Sequence, residues 1–573
     1  MSEYIVTLKN YSDLDDLYTQ MEESSGSDTI PHRKCTCTSR RKISRNTHYD
    51  LTEQEALELA KDSRVLAVEE PKADFVPFWD QEQTADFQKT VGVNDGGLDI
   101  SSTDKNWGLF RTINGAGVAN WGSDNTTSHN ATINTTSSGK NVDVVIVDAH
   151  IVGSHPEFAV HPDATGGTTR FVPFNWFQYS SALGYNTNAT YRYDLGTSYH
   201  GTHVAGIAAG NTQGWARDAD IYNMEFMGYA GGTQTGDEQG VNGQWTYMLW
   251  DYLRHFHKNK DINPATGRRN PTITNHSWGS LYNTYNSVNS VNSVKYRGTT
   301  TSVTGSISER KAILEANGVP VRQSQYVAFW PSRNAAIDAD VIDAIADGVV
   351  VISSAGNSYW AVDVPSGEDY DNTFTRYGSQ TYFTTRGSSP SAATGVICVG
   401  SVGTKTAEYK SEFSNFDERI DIWAPGSKII SSIGSSNDPN ALNIPSNSEW
   451  ENAASDPRNS NYKIASVSGT SMSGPQVTGY IACLAEQEQN ITNDTALQHL
   501  TENAKANIGD RGDVPPYGEP FESLSDSNNR YMFYVKKRPD SGVAYPSETQ
   551  NNRNPTTNGV KYPRTSSLVT KTS

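Results

Sequence analysis

From residue 142 onward the chain alternates short, almost wholly apolar runs with longer amphipathic ones. The apolar runs fall at 142–147, 221–226, 272–275, 349–353 and 396–399. A strand with one face in water would alternate apolar and polar residues, so these unbroken runs predict strands covered on both faces, as in a parallel sheet. The amphipathic stretches at 245–258 and 335–346 fit helices crossing between such strands. The pattern therefore predicts an α/β fold: three layers around a mostly parallel central sheet.

The first 70 residues follow a different rhythm and predict a small, separate α+β unit. Residues 4–8 read as a strand, and Leu14, Leu17, Tyr18 and Met21 share one face of a helix capped by Ser12. A polar loop around Cys35 leads to a strand at 43–49. Thr52-Glu53-Gln54-Glu55 then forms a capping box that opens a helix through residue 61, and 65–68 closes the unit as a strand. The predicted order is β-α-β-α-β, a ferredoxin-like arrangement. Residues 71–105 show no clear period and read as a connector, ahead of a main body at 106–503. Within the body, 283–308 and 437–461 have the composition of surface loops. Residues 504–573 read as a polar tail with a strand-like stretch at 531–535. The tail also holds a weak repeat, Gly542-Val543-Ala544-Tyr545-Pro546 echoed by Gly559-Val560-Lys561-Tyr562-Pro563.

Composition narrows the range of partners. A net charge of -18 over 573 residues argues against nucleic acid or an anionic membrane surface as partner. No apolar run is long enough to span a bilayer, and Met1-Ser2-Glu3-Tyr4 lacks the basic and apolar regions of a secretory signal. The expected location is inside a cell or in a virus particle rather than outside by classical secretion. Four cysteines in so long a chain are too few for a disulfide framework, so reduced thiols are expected.

Three short blocks carry the chemistry. Val144-Val145-Ile146-Val147-Asp148 places a carboxylate at the carboxyl end of a buried strand, where open α/β sheets hold their sites. His200-Gly201-Thr202-His203-Val204-Ala205-Gly206 places an imidazole at the mouth of a tightly packed helix. Gly469-Thr470-Ser471-Met472-Ser473-Gly474-Pro475 places a hydroxyl at the start of another, with Pro475 expected in its first turn. A serine hydroxyl needs a neighbouring base, and the base needs a carboxylate to orient it, so Asp148, His200 and Ser471 supply a complete set. The Ser471 amide at a helix N-terminus, and Asn357 at the end of the run 349–357, are candidate donors to an oxyanion. Competing readings exist for each block: a helix cap for Asp148, a metal pair for His200 with His203, and a turn residue for Asn357. No third ligand accompanies the histidines.

These blocks, in this order, resemble the subtilisin-like serine proteases over about residues 106–503. The resemblance extends to Trp107-Gly108-Leu109-Phe110-Arg111, His155-Pro156-Glu157, Ser277-Trp278-Gly279 and Ala424-Pro425-Gly426. It implies a subtilisin-like fold and serine endopeptidase activity on protein or peptide substrates. It also implies Asp148, His200 and Ser471 as the triad, Asn357 in the oxyanion hole, and Ser277, Trp278 and Gly279 along the substrate backbone. Tyr4-Ile5-Val6-Thr7-Leu8, Leu51-Thr52-Glu53-Gln54-Glu55-Ala56 and Val65-Leu66-Ala67-Val68-Glu69 resemble the family's inhibitory propeptide. They imply a self-processing zymogen whose N-terminal unit inhibits it. No cofactor is implied as required. The short path from Gly210 to Ala216 lacks the loop that binds calcium in some family members, which leaves calcium unassigned. Departures from the family pattern are His150 after Asp148, and Ser473, Gly474 and Gln476 after Ser471. Two other classes compete: a structural or assembly protein retaining the scaffold, which missing triad residues would favour, and an esterase, whose Gly-x-Ser-x-Gly elbow is absent.

Overall fold

The computed structural model describes residues 2–23, 31–41, 43–71, 75–77, 106–114, 135, 137–160, 169–185, 191, 199–225, 245–282, 286–322, 326–327, 330–378, 380–403, 408–435, 453–506, 508–509, 524 and 526–534. At its centre lies a seven-stranded sheet. The strands run in the order Ile422–Pro425, Ile397–Val402, Val350–Ser354, Thr272–His276, Asp143–Asp148, Asp220–Glu225, Phe171–Val172, and every pairing is parallel. All five apolar runs are strands of this sheet, their ends displaced by at most three residues. The period of two is visible within one strand. Val144 and Ile146 pack with the helices His200–Ala209 and Thr470–Gln487, while Val145 and Val147 pack with Trp245–Asn259 and Ala335–Ala346 on the opposite face. The result is the expected α/β arrangement of three layers.

The N-terminal unit has its own core of Tyr4, Val6, Leu17, Met21, Tyr49, Leu51 and Leu59. Its sheet has four strands, not three: Cys37–Arg40, Asn46–Leu51, Ser2–Leu8, Val65–Glu69 in spatial order. Cys37–Arg40 lies in what the sequence offered as a polar loop. It is an edge strand whose side chains are largely exposed, so it carries no apolar signal. The extra strand completes the ferredoxin-like order. The capping box forms as expected, with Glu55 N donating to Thr52 Oγ1 and Thr52 N donating to Glu55 Oε2. Ser12 does not cap the first helix. The chain enters Leu14–Tyr18 through a 3-10 turn at Tyr11–Asp13, and Ser12 Oγ bonds Asp13 instead.

Two segments expected to be loops are strands where they are described. Val291–Tyr296 and Thr299–Ser302 form a hairpin turned by Arg297 and Gly298, both at positive φ. The hairpin joins Thr373–Arg376 and Gln380–Phe383 in a four-stranded antiparallel sheet. Ala454–Asp456 and Asn459–Val467 likewise pair antiparallel. In both places Asn and Ser concealed a strand that packs through a few apolar residues, Val291 and Val294 in the first and Ile464 and Val467 in the second. The tail residues Leu524 and Tyr531 pack with Trp423, and the strand-like stretch is reduced to single bridges of Tyr531 with Trp423 and Lys505. The repeat at 542–563 lies outside the described residues. Among the described residues no helix is long and apolar enough to cross a membrane.

The loop after the His200 helix is held by buried charge. Burial opposes the charge of Glu157, but the guanidinium of Arg458 and donors from Thr212 outweigh it and hold the carboxyl down at about 2. A folded-state value below the unfolded value near 4.5 contributes stability that is complete above that value and is lost as pH falls toward 2. Glu157→Gln should therefore lower stability at neutral pH by ~3 kcal/mol, and the wild-type advantage should vanish in thermal melts carried down to pH 2.

Candidate active site

Asp148 is the last residue of its strand and His200 the first of its helix. Both are buried, and His200 Nδ1 donates to Asp148 Oδ1 at 2.6 Å. The same oxygen accepts the Ala149 amide at 2.7 Å. The turn after Asp148 is laced to the helix through Thr202, whose hydroxyl donates to the His150 carbonyl and accepts from the Val152 amide. This contact is close because residue 201 has no side chain. A Cβ there would stand 2.3 Å from the Ala149 carbonyl oxygen. His150 does not disrupt the turn, since it is its backbone carbonyl that Thr202 engages.

His203 does not join His200. Its Nε2 donates to the Ala465 carbonyl at 3.1 Å, and burial pushes its pKa down to about 3. Among the described residues no cluster of His, Cys, Asp or Glu could hold a metal ion.

Ser471 is the second residue of the helix Thr470–Gln487, which is entered from Gly469. Pro475 therefore lies beyond the first turn, where the sequence reading had put it. A proline inside a helix leaves the carbonyl four residues earlier without its amide donor. That carbonyl belongs to Ser471, and it accepts Ser277 Oγ at 3.1 Å instead. Ser471 Oγ in turn donates to the Ser277 carbonyl at 3.3 Å. The two serines thus tie the helix to the end of the Thr272–His276 strand.

Asn357 follows the neighbouring strand Val350–Ser354. Its Oδ1 accepts the Thr470 amide at 2.9 Å and the Thr470 hydroxyl at 2.7 Å. The carboxamide is thereby oriented, and its Nδ2, closed off from solvent, has no hydrogen-bond partner among the described residues. A buried donor without a partner costs on the order of 1–3 kcal/mol unless something arrives to accept from it. Thr470 was not singled out from sequence, although it lies inside the serine block. Its role becomes visible only when Asn357 and Gly356, whose amide donates to the Thr470 hydroxyl at 3.1 Å, are brought beside it.

Of the Ser277-Trp278-Gly279 segment, Ser277 touches Ser471 as described, and Trp278 is buried against the opposite layer, edge-on to His276. The backbone of Trp278, Gly279 and Ser280 pairs antiparallel with Pro77, Val76 and Phe75 of the connector. Gln476, in place of a common family histidine, accepts Trp215 Nε1 at 2.8 Å and donates to Asn106 Oδ1 at 3.1 Å. It braces the start of the body against the Ser471 helix.

The sequence profile of the subtilase family matches residues 139–530, more than half of the chain and all of this site. The chain belongs to the subtilase family. It is 33% identical over 141 residues to an alkaline proteinase of Hapsidospora chrysogena, covering 24% of this chain and 27% of that protein. It is 23% identical over 377 residues to a subtilisin-like protease of Coccidioides posadasii, covering 66% and 60%, and 28% identical over 159 residues to the major intracellular serine protease of Bacillus subtilis, covering 28% and 35%. The chain thus spans between 27% and 60% of the length of these relatives. Among solved structures it is similar to a cold-adapted subtilisin-like serine proteinase, with a TM-score of 0.41, 17% identity and coverage of 75% of this chain and 98% of that one. It is also similar to fervidolysin of Fervidobacterium pennivorans, with a TM-score of 0.47, 17% identity and coverage of 92% and 60%.

The closeness of residue 201 to the acid turn gives a direct check. Gly201→Ala should force the helix away from Ala149, cost about 1–3 kcal/mol of stability in thermal unfolding, and lower kcat more than it raises KM.

Proposed function

We propose that the chain is a serine endopeptidase made as a self-processing zymogen. Ser471 Oγ attacks the peptide carbonyl while His200 Nε2 takes its proton, and Asp148 holds the ring through Nδ1 and stabilises the imidazolium that forms. The tetrahedral oxyanion accepts from Asn357 Nδ2 and the Ser471 amide. The C–N bond breaks as His200 returns the proton to the leaving amine. Water, deprotonated by His200, then releases the acyl group from Ser471. The observation that carries this reading is the buried, unpartnered Asn357 Nδ2 beside Ser471, held by Thr470, together with the 2.6 Å Asp148–His200 bond. No cofactor enters any step. Protein or peptide chains are the substrates, extended along Trp278 to Ser280.

In the zymogen, the N-terminal unit sits on the helices Trp245–Asn259 and Ala335–Ala346, and the connector strand Phe75–Pro77 occupies the substrate position beside Trp278–Ser280. Because the two strands are antiparallel, the carboxyl end of Phe75–Pro77 lies opposite Trp278, the residue next to Ser277, whose carbonyl accepts from Ser471. The cut is therefore expected within the first few residues after Pro77.

Ser471→Ala should abolish peptide hydrolysis. Asn357→Ala should lower kcat by about a hundredfold or more with KM little changed, the magnitude found for loss of one oxyanion donor in this family. Full activity in Ser471→Ala would overturn the mechanism. In active preparations, N-terminal sequencing should find the mature start soon after Pro77, and Ser471→Ala protein should keep its original terminus. An unprocessed but active chain would refute self-maturation.

A further inference from the structure

The N-terminal unit meets the body through charge. Arg41 is wholly buried in the contact. One terminal nitrogen donates to the Tyr247 carbonyl, and the other to Asp340 Oδ2 and, at 2.6 Å, to Ser44 Oγ. Its Nε lies 3.5 Å from Asp251 Oδ2. Ser44 completes the loop by donating to Asp340 Oδ1 at 2.6 Å, and Asn46 Nδ2 reaches Asp340 Oδ2 at 3.0 Å. Asp251 and Asp340 are fully buried as well, and Asp251 Oδ1 has no hydrogen-bond partner among the described residues. Two carboxylates from two helices of the body therefore face one guanidinium of the N-terminal unit; Asp251 Oδ2 also accepts the Tyr185 hydroxyl from within the body.

We propose that this pair of carboxylates is a receptor for an arginine, and that Arg41 is the residue by which the body recognises and holds its own inhibitor. The proposal rests on the zymogen reading above. A lysine could not replace it, because the two terminal nitrogens donate in separate directions, to Tyr247 on one side and to Asp340 and Ser44 on the other, while the same cation stands beside Asp251; an ammonium offers one point of charge. The partner that this surface accepts is a folded unit presenting an arginine on a closed loop, here Arg41 to Ser44. A peptide that merely fits the cleft beside Trp278 lacks that group. Flanking contacts add to it: Glu69 accepts the Ala336 amide at the start of the Ala335–Ala346 helix, and Arg45 pairs with Asp343 at 3.1 Å. The members of these contacts in the N-terminal unit, Arg41, Ser44, Arg45, Asn46 and Glu69, all precede Pro77, so a cut beyond Pro77 separates none of them from that unit. Removing one member of a buried ion pair leaves its partners charged and unpaired, which is far costlier than loss of an exposed pair.

Hydrogen exchange in the full chain, made in the Ser471→Ala background so that the covalent link stays intact, tests this. Arg41→Met should speed exchange along Ala335–Ala346 by roughly a hundredfold or more, while the Asn46–Leu51 strand stays protected as a folded but undocked unit. Asp340→Asn, whose change lies in the body and leaves the N-terminal core untouched, should do the same, and Arg41→Lys should fall between. In chains with Ser471 intact, Arg41→Met should lose its cleaved N-terminal fragment on gel filtration where the wild type retains it. Unchanged exchange at Ala335–Ala346 in both Arg41→Met and Asp340→Asn would overturn the proposal, as would loss of protection in Arg41→Met alone. An inactive wild type would instead refute the peptidase reading, without touching the exchange result.

Discussion

The site depends on one hydrogen bond between two buried groups that start 52 residues apart, Asp148 and His200. A carboxylate without water needs donors, and here they are the imidazole and the Ala149 amide. To meet that need the start of a helix must come into contact with the turn that ends a strand. That contact dictates the rest of the block: no side chain at 201, a hydroxyl at 202 to stitch the turn, and small residues along the helix where it crosses its neighbours. Gly206 obeys the same constraint, since a Cβ there would stand 2.2 Å from Ser431 Oγ.

The other half of the site is built by sharing rather than by contact alone. Three neighbouring strands of the central sheet end at Asp148, at His276 just before Ser277, and at Ser354 just before Asn357. The Ser471 helix starts at the same edge, where parallel sheets collect their chemistry. Pro475 makes the junction specific. By depriving the Ser471 carbonyl of its helical donor, it leaves an acceptor for Ser277 Oγ, and the reciprocal Ser471–Ser277 pair follows. A proline read from sequence as a helix starter is thus better understood as a deliberate gap in the helix ladder.

Buried strands and the seating of Asp148 at a strand end and of His200 and Ser471 at helix starts were legible because each depends on local rules: unbroken apolar runs and small residues at helix contacts. The Cys37–Arg40 strand was not, because an exposed edge strand buries too little to leave an apolar signature. The hairpin at Val291–Ser302 was hidden by Asn and Ser, since only Val291 and Val294 need to face its core. Thr470 and the Ser277 hydroxyl escaped for a further reason. Their roles are relations between segments more than a hundred residues apart, and no window of sequence contains both partners.

The same holds for the acidic helix on the far face. Asp340, Asp343 and the capping residue Asp347 lie three and four residues apart, toward the end of the helix where the dipole disfavours negative charge. Within the body, Arg254 and Lys258 answer Asp347, and Arg254 stands 3.6 Å from Asp343. Among the described residues Asp340 has no such basic partner in the body: its cation, Arg41, comes from the N-terminal unit. A sequence that keeps a carboxylate at 340, one turn short of where its own cations reach, carries in its body the imprint of the unit that covers it. Glu69, which accepts the Ala336 amide at the start of that helix, and Phe75–Pro77, which pairs with Trp278–Ser280, follow one another closely in sequence, so the contact on the acidic helix and the pairing beside Ser277 are supplied by one short stretch of chain.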